Sequence, residues 1–173
     1  MTNALPINIV RFIGLFILQV LILKPISFGW EGQVFVNFIA YPLFIILLPL
    51  RTPVPTALLS AFAMGIMVDA AYDSWGVHAG ASVLLAYVRP LPLKWLEPRD
   101  GYNVNHSPTK KRMGRRWFLA YASTLLTFHL LLYYSLDAFS PYYIKDIIIK
   151  TLFSFPLSMI FIIIVMAIFD PLD

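Results

Sequence analysis

Six stretches of this chain are apolar all round rather than along one stripe, and charge, proline or glycine closes each of them. They cover residues 7–23, 33–50, 55–72, 77–93, 117–136 and 147–169. A helix that is apolar on every side is buried in a large core or in lipid, and crossing a bilayer takes about 20 such residues. The pattern predicts an all-α integral membrane protein: about six transmembrane helices in one compact bundle, forming a single multi-pass domain over 1–173. Pro42 falls inside the second stretch and is expected to kink it. The run Arg51-Thr52-Pro53-Val54-Pro55 breaks the chain before the third. Asp73-Ser74-Trp75-Gly76 makes a short turn between the third and fourth, so that pair reads as a tight helical hairpin.

Composition agrees, because 60% of the 173 residues are hydrophobic and only 13% are charged. A soluble domain carries about twice that share of charge. The formal net charge is +4, and its placement matters more than its size. Lys94, Arg99, Lys110, Lys111, Arg112, Arg115 and Arg116 crowd the polar segment 94–116, opposed only by Glu97 and Asp100. Basic residues in short loops stay on the cytoplasmic side. This loop, both termini and the Arg51 turn are therefore expected inside, and the Asp73 turn outside. The same cluster is a candidate for anionic lipid headgroups or for an acidic cytoplasmic partner. Nucleic acid is not expected, since no aromatic or motif context accompanies the charge.

Little in the chain suggests catalysis. There is no cysteine, and the three histidines, His78, His106 and His129, lack metal-ligand spacing. No metal or other cofactor is expected. Asp69, His78 and Ser82 invite comparison with a triad, but Ser82 lies in Gly80-Ala81-Ser82-Val83 without a nucleophile elbow.

The third stretch carries Ala57, Ala61, Gly65, Asp69 and Asp73 at intervals of four, which keeps them near one helix face. Small residues there let another backbone come close, the usual basis of helix packing in lipid. Gly76 and Gly80, with Ala79 and Ala81, begin the fourth helix in the same style. Asp69 is expected to face the bundle interior and to find partners in His78 and Ser82. Such a cluster either clamps the hairpin or lines a site for another helix or a ligand. Gln19, Asn37 and His129 are expected to bond across helices. Arg89, ahead of Pro90 and Pro92, is expected to snorkel to the inner interface, or else to pair with a partner protein or a lipid headgroup.

The hairpin resembles a known family. Gly65-Ile66-Met67-Val68-Asp69, then Trp75-Gly76-Val77-His78-Ala79-Gly80-Ala81-Ser82, resembles the central signature of MreD, a membrane subunit of the bacterial rod-shape machinery. Ala86-Tyr87-Val88-Arg89-Pro90 and Glu97-Pro98-Arg99-Asp100-Gly101-Tyr102 are similar to a further pattern in one branch of that family. Trp75 and Val77 stand where leucine is usual, and Asp100 where glutamate is. The resemblance implies a non-enzymatic scaffold in the bacterial cytoplasmic membrane. Such a scaffold binds MreC and, in a larger complex, RodA, a penicillin-binding transpeptidase and MreB, and it supports cell shape and lateral peptidoglycan synthesis. It also implies a fold similar to the substrate-capture subunits of energy-coupling-factor transporters. The alternative function is accordingly capture of a vitamin-like small molecule in an outward pocket near Asp69, Asp73, Trp75 and His78.

Overall fold

Helices form over most of the predicted stretches, and their ends follow the chain's punctuation. The structure, a computed structural model, describes residues 4–30, 33–104 and 106–169; the chain termini, expected on the cytoplasmic side, lie outside those residues. α1 (Ala4–Ile17) runs through a π-helical stretch (Leu18–Leu23) into α2 (Lys24–Ile26). α4 (Val54–Tyr72) starts directly after Pro53, with Pro55 in its first turn, where the missing N–H costs nothing. It ends on Asp73, whose φ of 55° closes the helix in the left-handed conformation. α5 (Val77–Val88) and α6 (Pro90–Trp95) join at Arg89, which keeps a helical backbone. α7 (Lys110–Met113) lies within the basic loop. α8 (Arg115–Ala138) and α9 (Ile144–Ile168) follow, joined by a 3₁₀ turn at Pro141–Tyr143.

Among the described residues, four helical segments are long and apolar enough to cross a membrane: Pro6–Ile26, Val54–Tyr72, Arg115–Ala138 and Pro141–Ile168. Much of their apolar surface faces outward, as Ile13, Leu59, Phe62, Leu152, Phe153 and Ile160 illustrate. An apolar surface of that extent is what a membrane-crossing helix presents to lipid.

The stretch 33–50 is not a helix, contrary to its pattern. β1 (Phe28–Trp30) and β2 (Gln33–Val36) form a small antiparallel hairpin. The chain then runs irregularly to α3 (Leu43–Ile46), a single helical turn. Every residue from Val36 to Leu48 is buried, so this segment is the centre of the bundle rather than part of its wall. Pro42 has no N–H to offer a helix. Irregular backbone at membrane depth survives only where protein satisfies it, and here side chains from the first and last helices do so. Gln19 donates from Nε2 to the Phe38 carbonyl at 2.8 Å, while its Oε1 accepts from Ala40 N at 2.9 Å and Tyr41 N at 3.3 Å. From α9, Ser154 Oγ accepts from Asn37 N at 3.1 Å and Ser158 Oγ accepts from Ile39 N at 2.9 Å. Gln19→Leu strands several of these groups at once, each worth about 1–3 kcal/mol when left unpaired. The expected result is a marked fall in the thermal midpoint of the purified protein, read by tryptophan fluorescence.

Cross-chain bonds define two ends of the bundle. At one end, Arg11 NH1 donates to the Leu47 carbonyl (3.3 Å) and Ser107 Oγ (3.0 Å). There too, Leu50 N and Arg51 N donate to the His106 and Val104 carbonyls, and Lys110 Nζ to the Met166 carbonyl at 3.4 Å. This is the basic end. At the other end, Lys24 Nζ donates to the Ala71 carbonyl at 2.5 Å and Asn37 Nδ2 to the Tyr133 hydroxyl at 3.0 Å.

Candidate functional site

The α4–α5 hairpin is built around one close approach. A Cβ placed on Gly65 would lie 2.4 Å from Ala79 Cα and 2.7 Å from the His78 carbonyl oxygen. Only a residue without a side chain lets the two backbones meet there. Ala57, Ala61, Ala79 and Ala81 are buried along the same hairpin. Gly80 turns instead toward α8, where an added Cβ would touch Leu136 Cδ1 at 3.0 Å.

One turn beyond Gly65, Asp69 is 3% exposed. Its Oδ1 accepts from the Ser74 hydroxyl at 2.6 Å and from His78 N at 3.0 Å, and its Oδ2 accepts from Ala79 N at 2.8 Å. Gly76, at the N-cap of α5 with φ of 83°, has no side chain to offer. Asp69 therefore caps the next helix from the end of the preceding one, using charge-assisted bonds in the place a carboxylate favours. Its bonds to residue 78 and its neighbour go to backbone N–H groups, not to the His78 ring or the Ser82 hydroxyl that the sequence suggested. Asp73 also departs from expectation: it leaves the packing stripe and is exposed at the turn.

The His78 ring looks the other way. Tyr41 Oη lies 3.0 Å from His78 Nδ1 and 2.8 Å from His129 Nε2, so one phenol of the central segment bridges α5 and α8. Ser82 sits beside that same phenol. Asp69 bonds to backbone, the His78 ring to Tyr41, and Ser82 to neither of them, so the three do not form a triad. Gln19 bonds across to Tyr72 on α4, whereas Asn37 lies off the helices and bonds to Tyr133 on α8, and His129 bonds to Tyr41 of the central segment. The hub Tyr41, with Tyr133, Tyr134, Ser154 and Ser158, is a buried polar set that sequence pattern did not single out.

Above this hub, at the end opposite the basic loop, lies a cleft of about 780 Å³. Lys24, Tyr72, Asp73, Trp75, His78, Tyr133, Asp137, Asp146 and Lys150 contribute to its lining. His78 packs between Tyr72 and Tyr133, with ring centroids 4.9 Å and 4.8 Å away. Lys24 Nζ stands 5.3 Å over the Tyr72 ring, and Lys150 Nζ stands 5.9 Å over that of Tyr134. Among the described residues, no three His, Asp or Glu side chains converge as metal ligands.

At the basic end, Arg89 does not snorkel. It is 5% exposed, donating from Nε to the Tyr121 hydroxyl at 3.0 Å and from a terminal nitrogen to the Leu48 carbonyl. Together with Arg11 it serves the carbonyls that follow α3, which have no helical partner. Arg89→Met leaves both Leu48 and Tyr121 without that donor, and a loss of about 1–3 kcal/mol is expected in thermal or denaturant unfolding. In the adjoining loop, Tyr102 donates to the Leu93 carbonyl and Trp117 Nε1 to the Leu96 carbonyl, both at 2.7 Å. Burial raises the Tyr102 phenol above its ordinary pKa of 10.0. Arg99, Lys111, Arg112, Arg115 and Arg116 are exposed around this end, while Lys110 is half-buried.

Compared with known protein families, curated proteins and solved structures, the chain finds no match.

Proposed function

We propose that this protein is an MreD-type scaffold of the bacterial cell-elongation machinery, which holds MreC in the cytoplasmic membrane and catalyses nothing itself. One observation carries the reading: the residues behind the family resemblance are the ones that hold the structure's centre. Gly65 permits the hairpin contact, Asp69 caps α5, His78 joins the Tyr41 hub, and Arg89 secures the end of α3. A signature made of packing and capping residues suits a protein whose task is to present a fixed surface to other spanning helices. The outward apolar faces of α1, α4 and α9 offer that surface to the MreC helix.

In this reading the four long helices, the central segment 36–48 and the α5–α6 pair make six crossings, as in energy-coupling-factor capture subunits. The basic end lies in the cytoplasm, following the positive-inside rule. Its exposed arginines and lysines then face anionic lipid, MreB and the cytoplasmic sides of RodA and the transpeptidase.

The test is affinity purification of the tagged protein from native membranes in mild detergent. MreC is expected in the eluate. Exposed positions separate binding from folding: Leu59→Trp on α4 and Phe153→Ala on α9 leave the core untouched, and at least one is expected to reduce MreC recovery. Absence of MreC from the wild-type eluate overturns the proposal. The cleft favours a second reading, small-molecule capture.

A further inference from the structure

Both α1 and α4 leave the basic end of the bundle and run toward the other, where Lys24 reaches the Ala71 carbonyl. Between them, at the basic end, lies a groove of about 420 Å³. Its floor is apolar: Ile9 and Phe12 come from α1, and Phe44 and Leu48 from the buried central segment. Phe12 meets Phe44 edge to face, with ring centroids 5.1 Å apart. Along α4 the lining extends from Thr52 to Ser60. The Ser60 hydroxyl is turned onto its own helix, donating to the Ala57 carbonyl at 3.1 Å.

Length decides what kind of molecule fits. Eight residue steps make the groove about 12 Å long, whereas the hydrocarbon core of a bilayer is about 30 Å thick. The groove therefore spans one leaflet and no more. A spanning partner helix would need a seat across the full thickness. An acyl chain of the adjoining leaflet matches it in both length and polarity.

Charge decides the headgroup. Arg51 immediately precedes Thr52 and is exposed, and its backbone N–H, donating to the Val104 carbonyl at 2.9 Å, fixes it at the mouth. α4 begins at the same point without a side-chain cap, so its dipole adds positive potential there. Asn8, also at the mouth, accepts from Arg11 through its Oδ1 at 3.2 Å, which leaves its amide hydrogens as donors. Among the described residues, no Asp or Glu lines the groove.

We propose that the α1–α4 groove binds one anionic phospholipid from the leaflet at the basic end. One acyl chain lies along Ile9, Phe12, Phe44 and Leu48, and the phosphate sits at Arg51. The proposal stands apart from the scaffold reading, because MreC recovery and lipid retention are separate measurements.

Native mass spectrometry of the delipidated full-length protein in neutral detergent tests it. Dioleoyl phosphatidylglycerol and dioleoyl phosphatidylcholine serve as probes that differ only in headgroup. Phosphatidylglycerol is expected to add once, saturably, and at least about fivefold more tightly than phosphatidylcholine, the worth of one surface arginine. Thr56→Trp puts a bulky ring into the groove from an exposed position and is expected to weaken phosphatidylglycerol at least about tenfold. Arg51→Gln is expected to erase the headgroup preference. Arg116→Gln, at an exposed position of the same end on a helix that does not line the groove, is expected to preserve it. Thermal midpoints without lipid check that each variant is folded, and Arg51→Gln decides alone if Thr56→Trp is not. The proposal is overturned if phosphatidylglycerol does not saturate at one copy or if the two lipids bind equally. It is equally overturned if folded Thr56→Trp keeps wild-type affinity, if Arg51→Gln keeps the preference, or if Arg116→Gln loses it as fully.

Discussion

Gly65→Ala is expected to be among the most damaging single-methyl additions in this protein. The new Cβ would stand 2.4 Å from Ala79 Cα and 2.7 Å from two further backbone atoms, Ala79 N and the His78 oxygen. Backbone cannot rotate aside as a side chain can, so the helices must separate. Overpacking a well-filled core costs about 1–3 kcal/mol, and this contact belongs at the upper end because separation also lengthens the Asp69 bonds to His78 and Ala79. Gly65→Leu should prevent stable accumulation altogether. Gly14→Ala is the control: it too replaces a helical glycine, but nothing lies within 4 Å of its added Cβ. Thermal midpoints of the purified variants check the contrast, and equal midpoints for Gly65→Ala and Gly14→Ala would refute it.

Asp69→Leu is the second large effect. It removes the acceptor for three donors: the Ser74 hydroxyl, His78 N and Ala79 N. Each buried donor left alone costs about 1–3 kcal/mol, and the first turn of α5 has no other cap. Asp69→Asn keeps one acceptor oxygen and is expected to lose clearly less. Asp69→Glu should fail nearly as badly as leucine, because the extra methylene displaces both oxygens from the α5 N-terminus. Hydrogen exchange at the first turn of α5 is the direct readout. Fast exchange at both His78 and Ala79 is expected in the leucine variant, and at only one of the two in the asparagine variant. Protection of both amides in the leucine variant would show that the cap is dispensable.

The contrast between these residues and the central segment explains what the sequence allowed. The third, fifth and sixth stretches are legible because proline, glycine or charge fixes their ends, and small residues every four positions reveal the hairpin contact. Asp69 is legible as an interior acid, yet its partners are not, since a backbone N–H of the next helix has no sequence signature. The stretch 33–50 misleads for a physical reason. A segment buried on all sides by protein and one surrounded by lipid show the same unbroken apolar pattern. Pro42 was the available clue, and it signals a kink as readily as a break. Arg89 fails similarly: position near a helix end suggests an interface, but only the fold reveals the Leu48 carbonyl waiting for a donor. Ser154 and Ser158 look like isolated hydroxyls in an apolar run and gain meaning once an irregular backbone lies beside them.

The far-apart origin of the bonds that seat residues 37–40 bears on how the chain is made. Asn37 and Ile39 depend on hydroxyls that emerge 117 and 119 residues later. At ordinary rates of synthesis that is a delay of roughly 6–23 s. During this interval the segment cannot rest in lipid in its final form, because its amides would be bare. It must wait as a provisional helix or beside the insertion machinery, and its helix-like sequence equips it for the wait. Final seating of these residues therefore comes after α9 is released.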